Sequence, residues 1–232
     1  MKNTTNVNPE DLNYHHHSAR RYDAEIVDSI PFYNEIHKII QNFISENFEV
    51  NKNYSILDLG VGTGFTSKIF LDLLPNSELD AVDFSRNMLK GAKKRLGKER
   101  VNFIFGDYSK LKFGKKYDIV VSVLGMHHQT NFGKKLVFKK IYSMLKPKGI
   151  FIFGDLVTHK NKHKAALNHA LHLGSLVGHA TNQKMLQEWA YHHLVLNDLA
   201  PVEDQLSWLK SFGFKAKLAF LKMNTALIIC RK

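Results

Sequence analysis

Cysteine is all but missing: Cys230 is the only one in 232 residues, so no disulfide can close within the chain and a reducing compartment is the expected setting. It sits in the apolar run Thr225 to Cys230, where a small buried hydrophobe is the expected role. No stretch of 18 apolar residues occurs, which argues against a membrane-spanning helix, and Met1 to Glu10 lacks the basic-then-apolar order of a secretory leader. A soluble cytoplasmic protein without membrane association is expected. Acidic residues are also scarce, 21 against 33 lysines and arginines, for a formal charge of +12. A polyanion such as RNA would answer that excess. The lysines, however, fall in separate clusters (Lys90 to Arg100, Lys110 to Lys116, Lys134 to Lys148) with no aromatic interleaving and no recognisable nucleic-acid module. They read as solvated outer faces, so tRNA or another nucleic acid is not the favoured partner.

What is present is a globular composition, 44% apolar and 23% charged, at a length suited to one domain with a sizeable core. Residues 1–17 read as a flexible tail, poor in apolar anchors and ending in His15, His16 and His17. The domain proper is expected over 18–232. Between Ser18 and Phe48 the residues Ile26, Ile30, Phe32, Ile36, Ile39, Ile40, Phe43 and Ile44 recur at helical spacing, interrupted by Pro31; two helices meeting at that proline fit the pattern.

The chain is organised around Ile56-Leu-Asp-Leu-Gly-Val-Gly-Thr-Gly64. An apolar strand, Tyr54 to Leu59, precedes the glycines and a helical run, Phe65 to Leu74, follows them, so Gly60, Gly62 and Gly64 occupy the turn from a buried strand into a helix N-terminus. Glycine there tolerates positive φ and lets a ligand approach the backbone. A P-loop would need Gly-Lys-Ser or Gly-Lys-Thr, and the dinucleotide fingerprint spaces its glycines differently. Asp58, two residues before Gly60, repels a pyrophosphate but suits an ammonium group, directly or through water. A cationic, phosphate-free nucleoside fits best. A second carboxylate, Asp83, ends the next strand, Leu79 to Val82, where it can accept from both ribose hydroxyls. Ser85 is placed to cap the helix Asn87 to Leu96.

With Asp58-Leu-Gly-Val-Gly-Thr-Gly64 after a strand, the sequence resembles the class I S-adenosylmethionine-dependent methyltransferases. The likeness extends through Leu145-Lys-Pro-Lys-Gly149 before an apolar strand and Leu209-Lys-Ser-Phe-Gly-Phe214 before the last two strands, covering about residues 18–230. It implies S-adenosyl-L-methionine as cofactor and a Rossmann-like α/β fold: a seven-stranded, mostly parallel sheet with helices on both faces. It also implies an N-terminal helical lid over 18–50, bringing Tyr33 and Tyr22 near the cofactor, and a helical insertion before the last helix, 156–200, as a substrate lid. In that pattern Asp58, Gly60, Val61, Gly62, Gly64 and Asp83 hold the cofactor, Phe84 and Val123 flank it, Asp107 accepts from the adenine amino group and the Tyr108 amide reaches the ring.

The segment after strand four, Tyr117 to Leu124, decides the chemistry in this family. The Asn/Asp/Ser-Pro-Pro-Tyr/Phe tetrad of exocyclic-nitrogen methyltransferases is absent, and Ser122-Val-Leu-Gly-Met-His127-His128 stands in its place. His127 or His128 can act as general base toward a hydroxyl. Downstream, helical segments are read over Phe138 to Leu145 and Pro201 to Phe212, with Lys146 to Gly149 as a turn and Ile150 to Phe153 as strand five. The pairs His159/His163 and His169/His172 have the spacing of metal ligands on a helix, but without an acidic or cysteine partner they read as pocket lining or solvated positions, and no metal is expected.

The implied function is in-line methyl transfer to a small molecule or modified nucleoside. Two alternatives stand beside it. Ile30-Pro-Phe-Tyr33 also resembles the carboxy-S-adenosylmethionine synthases of tRNA wobble-uridine modification, but these need an arginine in the lid; Ala190 falls at that position, and no arginine lies between Arg100 and Arg231. A non-catalytic regulator on the same scaffold is disfavoured by the intact Asp58, glycines, Asp83 and Asp107. The methyl acceptor and the oligomeric state, a homodimer included, are not legible.

Overall fold

The computed structural model describes residues 18–232, so the N-terminal tail with its three histidines lies outside the described residues. In chain order the elements are α1 (Ala19–Ser29), α2 (Tyr33–Asn47), β1 (Ser55–Leu59), α3 (Phe65–Leu73), β2 (Glu78–Asp83), α4 (Arg86–Leu96), β3 (Val101–Phe105) and β4 (Tyr117–Val123). A 3₁₀ turn (Met126–His128), α5 (Asn131–Met144), β5 (Leu145–Leu156), α6 (Lys162–His179) and α7 (Gln183–Tyr191) follow. The chain ends with a π-helical turn (His192–Leu196), α8 (Val202–Ser211), β6 (Lys215–Lys222) and β7 (Thr225–Arg231).

The seven strands form one sheet in the order β3-β2-β1-β4-β5-β7-β6. The first five are parallel; β7 inserts antiparallel between β5 and β6, closing the expected hairpin. Strands buried on both faces need apolar runs rather than alternation, and Ile119, Val120 and Val121 of β4 are fully buried. One core face joins Val137, Phe138 and Ile141 of α5 and Leu209 of α8 to Phe151 and Phe153 of β5. The other joins Ile36, Ile40 and Ile44 of α2, Phe70 of α3 and Leu89 of α4 to Ile56 and Ile119. Strand order reverses between β1 and β4, where a doubly wound sheet opens its ligand crevice beyond the strands' carboxyl ends.

Two sequence boundaries are corrected. The helix read from Phe138 begins at Asn131, because the Thr130 side chain accepts from the Gly133 amide at 3.0 Å and caps a turn whose glycine and lysines hid the periodicity. Residues 146–149, read as a free turn, are a bulge within β5: Leu145 pairs with Tyr117 and Ile150 with Ile119, while Lys148 takes φ 64°. At Pro31, α1 does end and α2 begin, with Phe32 at φ 63° turning the chain. No helix among the described residues is long and apolar enough to cross a membrane.

Candidate active site

At the β1–α3 turn the Gly60 and Val61 amides both donate to the Val82 carbonyl, at 2.9 and 2.8 Å, which pins the loop to β2. Gly60 and Gly62 take φ 85° and 55°, and a Cβ on Gly62 would meet nothing within 4 Å; the loop leaves open space where a ligand approaches. Gly64 serves packing instead: a Cβ there would lie 3.0 Å from Leu96 on α4. Asp83 is fixed from both sides, Oδ2 accepting from the Gly62 amide at 2.9 Å and Oδ1 from the Ser85 amide at 2.7 Å. Burial pushes its carboxyl up to about 6, while these amides favour the ionised form. The Phe84 amide is a third donor to the carboxylate, which still keeps acceptor capacity for a ligand hydroxyl.

These residues line a cleft with Tyr22 and Tyr33 of the α1–α2 segment, Phe84, Tyr108 and Val123. The Tyr108 hydroxyl donates to the Gly125 carbonyl at 3.0 Å, holding the ring in the wall. The cleft thus collects Tyr33, Gly60, Val61, Gly62, Asp83, Phe84, Tyr108 and Val123. Three other expected residues stand behind it. Asp58 is buried beneath the loop with Oδ2 accepting from Ser67 at 2.6 Å, and burial pushes its carboxyl up to about 7. It is not among the residues lining the cleft. Gly64 supports the helix, and Asp107 accepts from the Ser109 amide and pairs with Lys110 at 3.4 Å.

A second cavity of about 170 Å³ abuts the first, sharing Tyr22 and Leu124. Leu124 has φ 57°, a conformation costing about 1–3 kcal/mol outside glycine, and its amide donates to the Gly154 carbonyl at 2.8 Å. This cavity is walled by Ile26 and Ile30 of α1, Leu176 of α6, Trp189 of α7 and a set of histidines: His127, His172, His192 and His193. The His127 Nδ1 donates to Asp155 Oδ1, and Asp155 Oδ2 accepts from the Met126 amide at 2.9 Å. The His128 Nδ1 donates to the Leu196 carbonyl at 3.2 Å; its ring lies 4.0 Å from that of His127 and lines the first cleft. Burial, reinforced by His127 and His192, lowers the His128 pKa well below its usual value.

The lids are tied to the site. Arg95 of α4 pairs with Asp23 of α1 at 2.7 Å and donates to the Thr63 carbonyl at 2.9 Å; Arg21 pairs with Glu25 at 2.6 Å and with Glu188 of α7. Sequence reasoning missed several of these groups. His37 donates through Nδ1 to the Tyr33 carbonyl and accepts through Nε2 from Thr66, at 2.8 and 2.9 Å, and burial lowers it to about 4. Asp155, His192 and His193 were given no individual role by the sequence. The short spacing of His127, His128 and Asp155 to strand ends was the one signal present.

A carboxylate at the end of β2, a glycine loop without phosphate-binding lysine and two aromatic walls meet in one crevice, the arrangement that the class I methyltransferase resemblance led one to expect. Comparison with known proteins agrees. Residues 56–149 match the family model described as a methyltransferase domain. A malonyl-[acyl-carrier protein] O-methyltransferase from Ilyobacter polytropus is 39% identical over 48% of this chain and 41% of its own length. A demethylmenaquinone methyltransferase from Chlamydia caviae is 29% identical over 73% of this chain and 76% of its own. The solved complex of DhpI with SAH superposes at TM-score 0.65 with 16% identity, over 95% of this chain and 94% of that one, a likeness of fold. The chain spans less than half the length of the first malonyl-[acyl-carrier protein] O-methyltransferases it matches. The fold is the one these methyltransferases share, and the match to the methyltransferase domain model spans residues 56–149.

Proposed function

We propose that the protein transfers a methyl group from S-adenosylmethionine to a heteroatom of a small molecule held under the lid formed by residues 156–200. The observation that carries this is the placement of two cavities against one another: a cleft with Asp83 and the glycine loop, and a mainly apolar, histidine-walled cavity across Leu124. The residues present fit the cofactor: the Gly60 to Gly62 backbone offers room, Asp83 offers acceptors for ribose hydroxyls, and Phe84 and Tyr108 offer flat apolar walls. When bound, the cofactor supplies an electrophilic methyl group. The chain's own part is to align the acceptor and exclude water, which can account for several kcal/mol of the barrier.

His127 and His128 prepare the acceptor. With Nδ1 donating to Asp155 and to the Leu196 carbonyl, Nε2 is the atom of each ring that faces the acceptor's proton; burial lowers the basicity of His128, so His127, braced by Asp155, is the better base. Oxygen is the favoured target: a hydroxyl needs such help, the tetrad for amino nitrogens is absent, and the Ilyobacter relative is named for O-methylation. The apolar wall and small volume suit a small molecule or an acyl group better than an ordered stretch of nucleic acid.

The test is calorimetric titration with S-adenosylmethionine and S-adenosylhomocysteine, repeated on Asp83→Ala. Micromolar binding, about −8 kcal/mol, is expected for the wild type. Losing a charge-assisted bond to ribose is expected to weaken it at least about tenfold, on the order of 1.5–3 kcal/mol. Failure of both ligands to bind the wild type would remove the reading.

A further inference from the structure

We propose that His127, His128 and His192 form a binding site for one transition-metal dication of the zinc class, at the junction of the two cavities. One ring nitrogen from each of the three lies within 4.8 Å of the others. Imidazole nitrogens at about 2.0–2.1 Å from a tetrahedral zinc lie about 3.4 Å apart, so closure asks for a shift of an ångström or so. His192 is placed to make it, being half-buried on the lid's π-helical turn while His127 and His128 are buried on the rigid strand end. Single π turns of this kind often mark functional positions, and this one directs both His192 and His193 into the cavity.

The groups behind two of the rings, those of His127 and His128, have the arrangement metal sites use. A ligating histidine ordinarily donates its other ring N–H to a carboxylate or a backbone carbonyl, which fixes the tautomer and orients the ring. The His127 Nδ1 donates to Asp155 and the His128 Nδ1 to the Leu196 carbonyl at 3.2 Å, so Nε2 is the lone-pair atom in both. Asp155 is in turn held by the Met126 and Leu156 amides, at 2.9 and 2.8 Å, and is engaged as a support. A pure imidazole set selects zinc, cobalt, nickel or copper over magnesium or calcium, which demand oxygen. Three protein ligands leave a fourth position toward the cavities, the open-site pattern of catalytic zinc. The ammonium of Lys134 stands near His128 and opposes a second cation; two of its three hydrogens are engaged by the Gln129 and Asp198 carbonyls, and the Asp155 and Asp198 carboxylates offset its charge.

This set differs from the His159/His163 and His169/His172 pairs that sequence spacing suggests, because its members come from the β4 end and the lid, far apart in the chain. The site itself stands on side-chain geometry; only the role given to the metal rests on the methyltransferase reading. In that role the acceptor's heteroatom would take the open position, R–XH losing its proton to solvent as the metal–X bond forms; the X–CH3 bond would then form as the sulfonium S–CH3 bond breaks, sulfur keeping the electron pair and leaving as S-adenosylhomocysteine. Nε2 of His127 then ligates the metal instead of receiving the proton.

The experiment titrates the full chain with Co²⁺ after chelator treatment, reading the visible d–d absorption of tetrahedral cobalt, followed by displacement with Zn²⁺. Because His15, His16 and His17 would bind metal on their own, the background carries His15→Ala, His16→Ala and His17→Ala. One saturable equivalent, displaced by one equivalent of zinc, is expected. His192→Ala should weaken it at least tenfold, Asp155→Asn by about 10–100-fold, and His163→Ala, an exposed α6 position, should leave it unchanged. Absence of a saturable cobalt band, or a band unaffected by His192→Ala in a protein whose circular dichroism is native, overturns the site. S-adenosylhomocysteine titration in chelator, run alongside, tests the methyltransferase reading without the metal, so either proposal can fail alone.

Discussion

Asp58 and Asp83 are carboxylates that burial shifts in the same direction, to about 7 and about 6 from an ordinary value near 3.8. A folded-state value above the unfolded one means that the fold holds more protons than the unfolded chain between the two. The stability these groups contribute is therefore fully present below about pH 4 and is lost as pH rises through 6 to 7. Asp58→Asn keeps an acceptor for Ser67 but removes the titration. We expect the thermal midpoint of the wild type to fall relative to that of Asp58→Asn as pH is raised from 4 to 8; parallel profiles would contradict the burial argument. Comparing the two proteins cancels the opposite shifts of His37 and His193, lowered to about 4 and about 3. At this scale the sequence was most legible where a backbone constraint forces a residue type. Gly60 and Gly62 adopt positive φ at the crevice, and Asp83 lies at its lip as the spacing required. It was least legible for His192 and His193, whose meaning comes from a π turn and from neighbours on other elements, neither of which leaves a local signal.

Among the elements, α1 is expected to control access. It covers the cleft through Tyr22, is tied to the glycine loop by the Asp23–Arg95–Thr63 contacts, and packs on α4 at Gly91, where a Cβ would come within 2.5 Å of the Ala19 Cβ. Gly91→Ala gains helix propensity, about 0.5–1 kcal/mol, yet collides with the lid. The expected outcome is a global unfolding midpoint that is unchanged or higher, together with faster amide hydrogen exchange across Ala19–Ser29 and weaker S-adenosylhomocysteine binding. Full protection of α1 in the variant would show that it is not the gate. Gly64→Ala tests the loop's other end: strained φ of 86° and a 3.0 Å approach to Leu96 should cost about 1–3 kcal/mol in urea unfolding. Element boundaries in the sequence blurred where capping overrode periodicity, as at Thr130, and where a bulge resembled a turn, as at Lys146 to Gly149.

The whole molecule is a doubly wound sheet with two apolar faces, and the apolar runs of β1, β2 and β4 made that architecture readable before any coordinates. The α5–β5 side rests on Phe138, fully buried with its ring 5.3 Å from that of Phe153 and 6.1 Å from that of Phe151. Phe138→Ala should cost about 3–5 kcal/mol in global unfolding and leave the cleft residues in place in whatever fraction stays folded. Residues 156–200 were legible as a helical insertion, but the cavity that His172, His192 and His193 line forms where α6 meets the π-helical turn, and that juxtaposition leaves no local signal. The strand ends carry the cleft lined by Asp83 and the glycine loop on one side of Leu124 and a histidine-walled cavity on the other. The most direct test is a structure of the complex with S-adenosylhomocysteine. The account predicts the ribose against Asp83, the adenine between Phe84 and Tyr108, and the thioether sulfur facing His127 and His128 across Leu124. A ligand bound elsewhere, or with its sulfur turned away from the histidines, would contradict it.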